Sequence, residues 1–221
     1  MNKKMYYGIG AVASIVFLVL AVIIKMSYTT KALAFDGSIQ NFAFHLQSSA
    51  VIRVFFTNLT NLFGDTGGFI TAAVVCLVLF FILKQKIGAL WFGILTVAST
   101  VVNTVVKSVI GRVRPDIHRL SAFAHESGQS FASGHSVFAT VLFGALFLIY
   151  FKKMRTSGSK FGFGLLALIL TLIIMFSRIF VGVHYPSDTL GGFLEGLAFL
   201  MFTYPTFIKF NERNYKLKIL Q

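Results

Sequence analysis

The chain has 221 residues, of which 56% are hydrophobic and 12% are charged, and its formal net charge is +13. This composition excludes a soluble globular domain, in which about 45–50% of residues are apolar and about 25% are charged. It also excludes a disordered or linker-rich chain, because the sequence has only 3 Pro, no tract rich in Ser, Gly or Gln and no long acidic or basic block. We therefore interpret the sequence as an integral membrane protein that forms a single domain over residues 1–221.

Six apolar runs are long enough to cross a bilayer as helices. A helix rises about 1.5 Å per residue and the hydrocarbon core is about 30 Å thick, so a span requires roughly 17–25 residues. The predicted spans are residues 5–24, 66–83, 87–106, 136–151, 161–177 and 189–208. The fourth run is short, and we expect its helix to begin near Ser133. The sequence thus predicts an all-α, polytopic membrane protein with six transmembrane helices in a bundle.

The segment between the first two spans, residues 25–65, has a different pattern. Its apolar residues recur at mostly helical spacing, with polar residues between them. We predict interfacial amphipathic helices here, which either flank a lateral entrance for lipid or only cover the bundle.

The Lys and Arg residues indicate how the chain is oriented. If the amino terminus is cytoplasmic, most of the 20 Lys and Arg residues fall in cytoplasmic segments and most of the 7 Asp and Glu residues fall outside. We therefore predict a cell membrane protein with both termini cytoplasmic. The positive charge indicates contact with anionic lipid, and no nucleic acid is expected because the charge is scattered over several loops.

Three short stretches on the predicted outer side hold most of the residues capable of phosphate chemistry. In the first, Lys107 and Arg114 are seven residues apart, so a helix that continues to Pro115 places both cations on one face. The second stretch, Ser133-Gly134-His135, opens the fourth span. The exposed N–H groups and the dipole of a helix start favour an anion at this position.

The third stretch lies between the fifth and sixth spans and contains Ser177, Arg178, His184 and Asp188. Asp188 follows His184 by four residues. This spacing lets the carboxylate accept a hydrogen bond from Nδ1 of the imidazole, which leaves Nε2 unprotonated.

At these residues the sequence resembles the type 2 phosphatidic acid phosphatase superfamily, the lipid phosphate phosphatases related to vanadium haloperoxidases and glucose-6-phosphatase. The family pattern is Lys, six residues, Arg-Pro; then Pro-Ser-Gly-His; then Ser-Arg, five residues, His, three residues, Asp. All intervals fit over residues 107–188, and the one departure is Ala132 in place of the proline. Alanine removes a backbone restraint but no reactive group. The compact chain is similar to bacterial phosphatidylglycerophosphate phosphatase B type enzymes, some of which also act on undecaprenyl pyrophosphate.

The resemblance implies a catalytic set and a phosphate-binding set. It implies that His184 is the nucleophile that forms a phosphohistidine, that Asp188 orients it, and that His135 is the general acid and then the base. The implied phosphate-binding residues are Lys107, Arg114, Ser133, Gly134 and Arg178. No cofactor and no metal are expected, because fixed cations neutralise the charge of the transferring phosphoryl group.

These expectations describe a membrane lipid phosphatase that removes a terminal phosphate from undecaprenyl pyrophosphate, phosphatidylglycerophosphate or phosphatidic acid. The expected partners are this lipid substrate and the bilayer, with no obligate protein partner. One alternative is a lipid phosphotransferase that uses the same phosphohistidine. A second, from another class, is a phospholipid transporter or binding protein, although the sequence lacks the repeated halves typical of many transporters.

Other ionisable residues receive structural interpretations. We interpret the charged and histidine side chains between the first two motifs as solvated loop residues: Asp116, His118, Arg119, His125 and Glu126. Glu195 lies inside the sixth span, where an ionisable group is a functional candidate by default. We nevertheless expect Glu195 to be a protonated or hydrogen-bonded helix-packing residue.

Overall fold

The structure, a computed structural model, describes residues 2–27 and 32–219. Its regular elements are α1 (Lys3–Met26), α2 (Asp36–Leu46), α3 (Ala50–Leu62), α4 (Asp65–Leu77), α5 (Lys86–Ile110), α6 (Gly134–Phe151), α7 (Ser157–Phe180) and α8 (Pro186–Ile219). A π-helical stretch, Val78–Ile82, continues α4, and a single 3-10 turn covers Ser121–Phe123. The described residues contain no strand, so the all-α prediction is confirmed.

Five helices, α1, α5, α6, α7 and α8, are long and apolar enough to cross a membrane. A sixth candidate is the pair formed by α3 and α4, which are joined at a bend of 63°. The predicted second span corresponds to α4 and its π-helical continuation. The chain is therefore a multi-pass membrane protein, with five or six candidate spans over residues 2–27 and 32–219.

Helix α8 lies at the centre of the bundle and packs against α1, α5 and α6. On α5, the Trp91 ring stacks on Phe207 of α8 with 4.4 Å between the ring centroids. The indole N–H of Trp91 donates to Thr203 Oγ1 at 3.0 Å, so this buried polar group keeps a partner. These contacts fix α5 against α8, the helices that carry Lys107 and Asp188.

Two glycines of α8 let α6 approach closely. A Cβ atom on Gly192 would lie 2.4 Å from the carbonyl oxygen of Ser133, and one on Gly196 would lie 2.8 Å from Thr140 Cβ. Small residues are the usual means of close helix packing in a bilayer, where burial of apolar surface gives little driving force. The start of α6 is therefore held directly against the first turns of α8.

The predicted interfacial segment does form two helices, α2 and α3, and both pack on α7. Gln47, at the end of α2, donates to the carbonyl oxygens of His118 at 3.0 Å and Phe180 at 2.5 Å. The segment before α4 is thereby tied to the end of α7, next to the motif residues.

Candidate active site

The three motif stretches meet at one end of the bundle. Helices α5 and α7 approach this end with their carboxyl termini, and α6 and α8 start from it. Residues close to Ile110, Gly134, Phe180 and Pro186 therefore lie together although they are far apart in the sequence.

The structure corrects the reason given for placing Lys107 near Arg114. Helix α5 does not continue to Pro115: it ends at Ile110, and Gly111 follows in the left-handed conformation with φ of 68°. Glycine adopts this conformation at little cost and commonly ends helices. Arg114 consequently reaches the site from the loop, where its Nη1 donates to the Val183 carbonyl oxygen at 3.1 Å.

His184 is buried, with 1% of its surface exposed, and neighbours contact both ring nitrogens. Arg114 Nη1 lies 3.0 Å from Nε2. Because a guanidinium only donates, Nε2 is the acceptor and Nδ1 carries the proton. Nδ1 lies 3.2 Å from Ser130 Oγ and 3.4 Å from Asp188 Oδ2. The lone pair of Nε2 therefore points away from Asp188 and towards the cations.

The direct hydrogen bond predicted between His184 and Asp188 is long, and Ser130 provides a shorter route. Its hydroxyl donates to Asp188 Oδ2 at 2.5 Å, so its lone pair is available to the Nδ1 proton of His184. Ser130 lies three positions before the second stretch, but the sequence gave no signal for this role, because 58 positions separate it from Asp188.

Asp188 is fully buried, and both of its carboxylate oxygens accept hydrogen bonds. Arg112 Nη1 donates to Oδ1 at 2.6 Å, while the backbone N–H of Tyr185 donates to Oδ2 at 2.8 Å. Together with Ser130, these donors hold the carboxylate in a fixed orientation. Sequence reasoning missed Arg112, which lies two positions before Arg114.

Thr60 of α3 contacts two of the predicted site residues and was also missed. Its hydroxyl accepts a hydrogen bond from Arg178 Nη1 at 2.6 Å. Its carbonyl oxygen lies 3.2 Å from His135 Nε2, which must carry a proton because a carbonyl oxygen only accepts. Helix α3 therefore positions both the third cation and the second histidine.

The segment 126–129 contacts all three predicted phosphate-binding cations. Lys107 donates to the carbonyl oxygen of Gln129 at 3.0 Å, and Arg114 Nε donates to that of Ser127 at 3.2 Å. The Glu126 carboxylate pairs with Arg114 at 3.3 Å and also with Arg178. Interpreting Glu126 as a solvated loop residue was therefore wrong, because the two guanidinium groups attract its carboxylate.

The turn that begins α6 has the features of an anion site. Ser133 Oγ is buried and has no hydrogen-bond partner among the described residues. Gly134 begins α6, so the first N–H groups of this helix lack acceptors within it. Ser133 N–H donates to the Asp188 carbonyl oxygen at 3.1 Å, which fixes the turn against α8.

Behind this turn lies Glu195, which fulfils its predicted hydrogen-bonded role. Asn103 Nδ2 donates to Glu195 Oε2 at 2.9 Å and to the Ala132 carbonyl oxygen at 3.2 Å. The pair thus ties α5 and α8 to the residue that precedes the Ser133 turn.

Over residues 2–27 and 32–219, no group of three or more His, Cys, Asp and Glu side chains has an arrangement suited to a metal ion. That a reaction at this site needs no metal stays a prediction.

Comparison with known proteins agrees with the resemblance seen in the motifs. The chain matches the family described as the PAP2 superfamily over residues 88–212. Phosphatidylglycerophosphatase B of Bacillus subtilis (strain 168) is 35% identical over 113 residues, which is 48% of this chain and 54% of that protein. Lipid A 1-phosphatase of Rhizobium johnstonii is 32% identical over 124 residues, which is 53% of this chain and 46% of that protein. The chain spans about half the length of the curated relatives it matches.

A solved structure extends the similarity over most of the fold. The crystal structure of a transmembrane PAP2 type phosphatidylglycerolphosphate phosphatase from Bacillus subtilis aligns with a TM-score of 0.71 at 26% identity. The alignment covers 90% of this chain and 96% of that one. Because the family match covers more than half of the chain and includes every motif residue, the chain belongs to the PAP2 superfamily.

Proposed function

We propose that this protein is a metal-independent membrane phosphatase that removes the terminal phosphate from a lipid phosphate or pyrophosphate. The observation that carries the proposal is the arrangement around His184. Its unprotonated Nε2 faces Arg114, and Lys107 and Arg178 are close enough to lower the pKa of the imidazole. Ser133, whose hydroxyl has no hydrogen-bond partner among the described residues, is bonded through its N–H to the Asp188 carbonyl oxygen. A buried imidazole lone pair next to several fixed cations fits nucleophilic attack on a bound phosphate.

The proposed reaction has two steps. In the first, His184 Nε2 forms a bond to phosphorus, the bond from phosphorus to the leaving oxygen breaks, and His135 donates a proton to that oxygen. In the second, water attacks phosphorus, His135 takes the proton from the water, and the phosphorus–nitrogen bond breaks. The products are inorganic phosphate and a lipid alcohol or, from a pyrophosphate, a lipid monophosphate.

The cations have a defined role in this scheme. The transferring phosphoryl group carries negative charge on its equatorial oxygens, and Lys107, Arg114 and Arg178 bind these oxygens. Ser133 Oγ and the N–H of Gly134 add neutral donors at the start of α6. Asp188 stabilises the positive charge that develops on His184 when Nε2 attacks.

The site is proposed to lie on the extracytoplasmic side of the cell membrane, with both termini in the cytoplasm. The distribution of Lys and Arg supports this orientation. The spans would then hold the lipid tail in the bilayer while the phosphate reaches the residues at the outer ends of α5 to α8.

The test is inorganic phosphate release by purified protein in detergent with EDTA. The substrates are undecaprenyl pyrophosphate, phosphatidylglycerophosphate and phosphatidic acid. We expect turnover of at least one of them with EDTA present, and the kcat/KM values rank the substrates. Turnover that requires added Mg²⁺ would contradict metal independence. A cooperative thermal transition shows that the protein is folded, and no phosphate release by such protein would contradict hydrolysis. A lipid alcohol would then be added as a phosphate acceptor, and lipid transport would be measured separately.

The pH dependence follows from the surroundings of His184. Burial lowers the pKa of His184 well below its usual 6.5, and the cations, Arg114 first, lower it further. The imidazole loses its nucleophilic lone pair only when the pH falls below this lowered pKa. We therefore expect kcat/KM, which reports the free enzyme, to show no loss from His184 protonation as the pH falls through 6.5. Profiles measured with two substrates of different phosphate pKa separate enzyme from substrate ionisation. A substrate-independent acidic limb at or above 6.5 would contradict the expectation.

Glu126 is expected to compete with substrate. Its carboxylate, in a side chain that is 25% exposed, pairs with Arg114 and Arg178, and a bound phosphate must take over these donors. Partly exposed ion pairs contribute up to about 1 kcal/mol, so Glu126→Gln should lower the inhibition constant of inorganic phosphate about threefold to fivefold. Competitive inhibition assays measure this constant, and Asp116→Asn, an exposed acid in the same loop, is the matched control. A constant that rises in Glu126→Gln would show that Glu126 assists phosphate binding.

A further inference from the structure

A buried ion network lies directly behind Asp188 and uses residues outside the three motif patterns. Arg112 lies between two carboxylates: its Nη1 is 2.6 Å from Asp188 Oδ1 and its Nη2 is 3.2 Å from Asp36 Oδ2. All three side chains are fully buried. The guanidinium also lies over the ring of Tyr185, with 4.1 Å between Cζ and the ring centroid. Moving charged groups out of water costs free energy, so a buried ion network often adds little to the stability of the fold. Stability alone is therefore a poor explanation for this network.

Asp36 joins this network to the start of α8. Its Oδ1 accepts from the backbone N–H of Ser187 at 2.8 Å, and its Oδ2 accepts from the Ser187 hydroxyl at 2.8 Å. Ser187 is in the first turn of α8, where backbone N–H groups have no acceptor within the helix. A carboxylate 151 positions earlier in the chain therefore caps the helix that carries Asp188.

Arg112 leaves only one oxygen of Asp188 for the catalytic histidine. Its Nη1 contacts Oδ1 of Asp188 and, at 2.7 Å, the Ser187 hydroxyl. Oδ2 is then the oxygen that faces Ser130 and His184. The planar guanidinium makes these contacts together because its donors have a fixed geometry, which a lysine ammonium lacks.

We propose that Arg112, held by Asp36, is a positioning residue for Asp188 that orients its carboxylate towards Ser130 and the Nδ1 proton of His184. This inference rests on the proposed function, since it concerns the orientation of the proposed nucleophile. Neither Arg112 nor Asp36 touches the substrate in this arrangement, so their loss slows the chemical step and spares phosphate binding.

The test compares Arg112→Lys and Asp36→Asn with the wild type. Lysine retains a cation between the two buried carboxylates, and asparagine retains an oxygen for the Ser187 N–H, so neither variant leaves a buried charge without an opposite charge. Arg119→Lys is the matched control, because Arg119 donates to the carbonyl oxygens of Pro115 and Ala124 in its own loop. The concentration of sites that bind inorganic phosphate is measured by titration, and turnover is expressed per site. Misfolded protein, which does not bind phosphate, is thereby left out of the calculation.

We expect Arg112→Lys to lower kcat about 100-fold, the size of loss that a misplaced catalytic group produces. Asp36→Asn should lower kcat about tenfold, while KM and the inhibition constant of inorganic phosphate stay within about threefold in both variants. Because Asp36 acts through Arg112, the double variant should lose no more than Arg112→Lys alone. Arg119→Lys should keep wild-type values.

Two outcomes would overturn the inference. In one, Arg112→Lys and Asp36→Asn keep kcat within about twofold of the wild type, while His184→Ala abolishes turnover. In the other, KM and the phosphate inhibition constant rise together with a fall in thermal stability, which indicates a structural role. Turnover that survives His184→Ala is a separate result that overturns the proposed function.

Discussion

Replacing His184 with alanine is expected to lower kcat by about 10⁵-fold or more, the range seen when an enzyme loses its nucleophile. Among the described residues, His184 Nε2 is the ring nitrogen in contact with Arg114, whereas His135 Nε2 contacts the Thr60 carbonyl oxygen, so we do not expect His135 to replace it as the nucleophile. Phosphate release from the best lipid substrate measures the loss. The covalent intermediate is measured as labelled phosphate that stays on wild-type protein denatured in alkali and is missing from the variant.

The matched control for this experiment is His45→Ala. His45 is an exposed histidine on α2, and its replacement should leave kcat and KM unchanged. A His184→Ala variant that keeps more than about 1% of the wild-type kcat would contradict the nucleophile assignment, because the rate without any covalent catalysis is far lower.

Replacing His135 should have a smaller effect, and one that depends on the leaving group. With a lipid phosphate, whose alkoxide leaves poorly, His135→Ala should lower kcat about 10³-fold through loss of general acid catalysis. With an aryl phosphate the phenolate leaves without a proton, so the phosphohistidine still forms. Water then attacks it slowly, because the base for the second step is missing. Rapid-quench assays should therefore show a burst of phenol, about one per site, followed by slow turnover.

A role for His135 as general acid would be contradicted if His135→Ala lowered kcat equally with both substrates and gave no burst of phenol. His135 would then act on phosphate binding instead, through its contact with Thr60, whose hydroxyl holds Arg178. His184→Ala provides the comparison, since it should give neither burst nor turnover with either substrate.

The sequence predicted the parts of the fold and site that depend on local pattern. Apolar runs of sufficient length gave the helices, because every backbone polar group in a bilayer must be hydrogen-bonded within its own segment. The motif spacing predicted that the Asp188 carboxylate lies next to His184 Nδ1, and the two are 3.4 Å apart. Local reasoning failed at Arg114, where Gly111 ends α5 earlier than the helical spacing required.

Contacts between distant segments were beyond the same reasoning. Asp36 looks like an ordinary acid in the first turn of a short helix, a position that the helix dipole alone explains. Nothing in its neighbourhood indicates that it accepts from Ser187, 151 positions later. Thr60 is likewise one of several hydroxyl residues in an amphipathic helix, and its sequence context does not distinguish it from the others. Arg112 lies only two positions before Arg114, so the sequence did indicate that it could reach the same site. The family pattern does not include this position, and so it gave no reason to assign Arg112 a role.

The family match covers residues 88–212, yet two residues that contact the candidate site, Asp36 and Thr60, precede it. A chimera that joined residues 88–212 of this chain to the amino-terminal third of a relative would retain all the motif residues. It would be active only if the new segment supplied an acid to Arg112 and a hydroxyl and carbonyl to Arg178 and His135. If the proposed function holds, the smallest portion of this protein that can be exchanged without loss of activity is therefore larger than the portion that identifies its family.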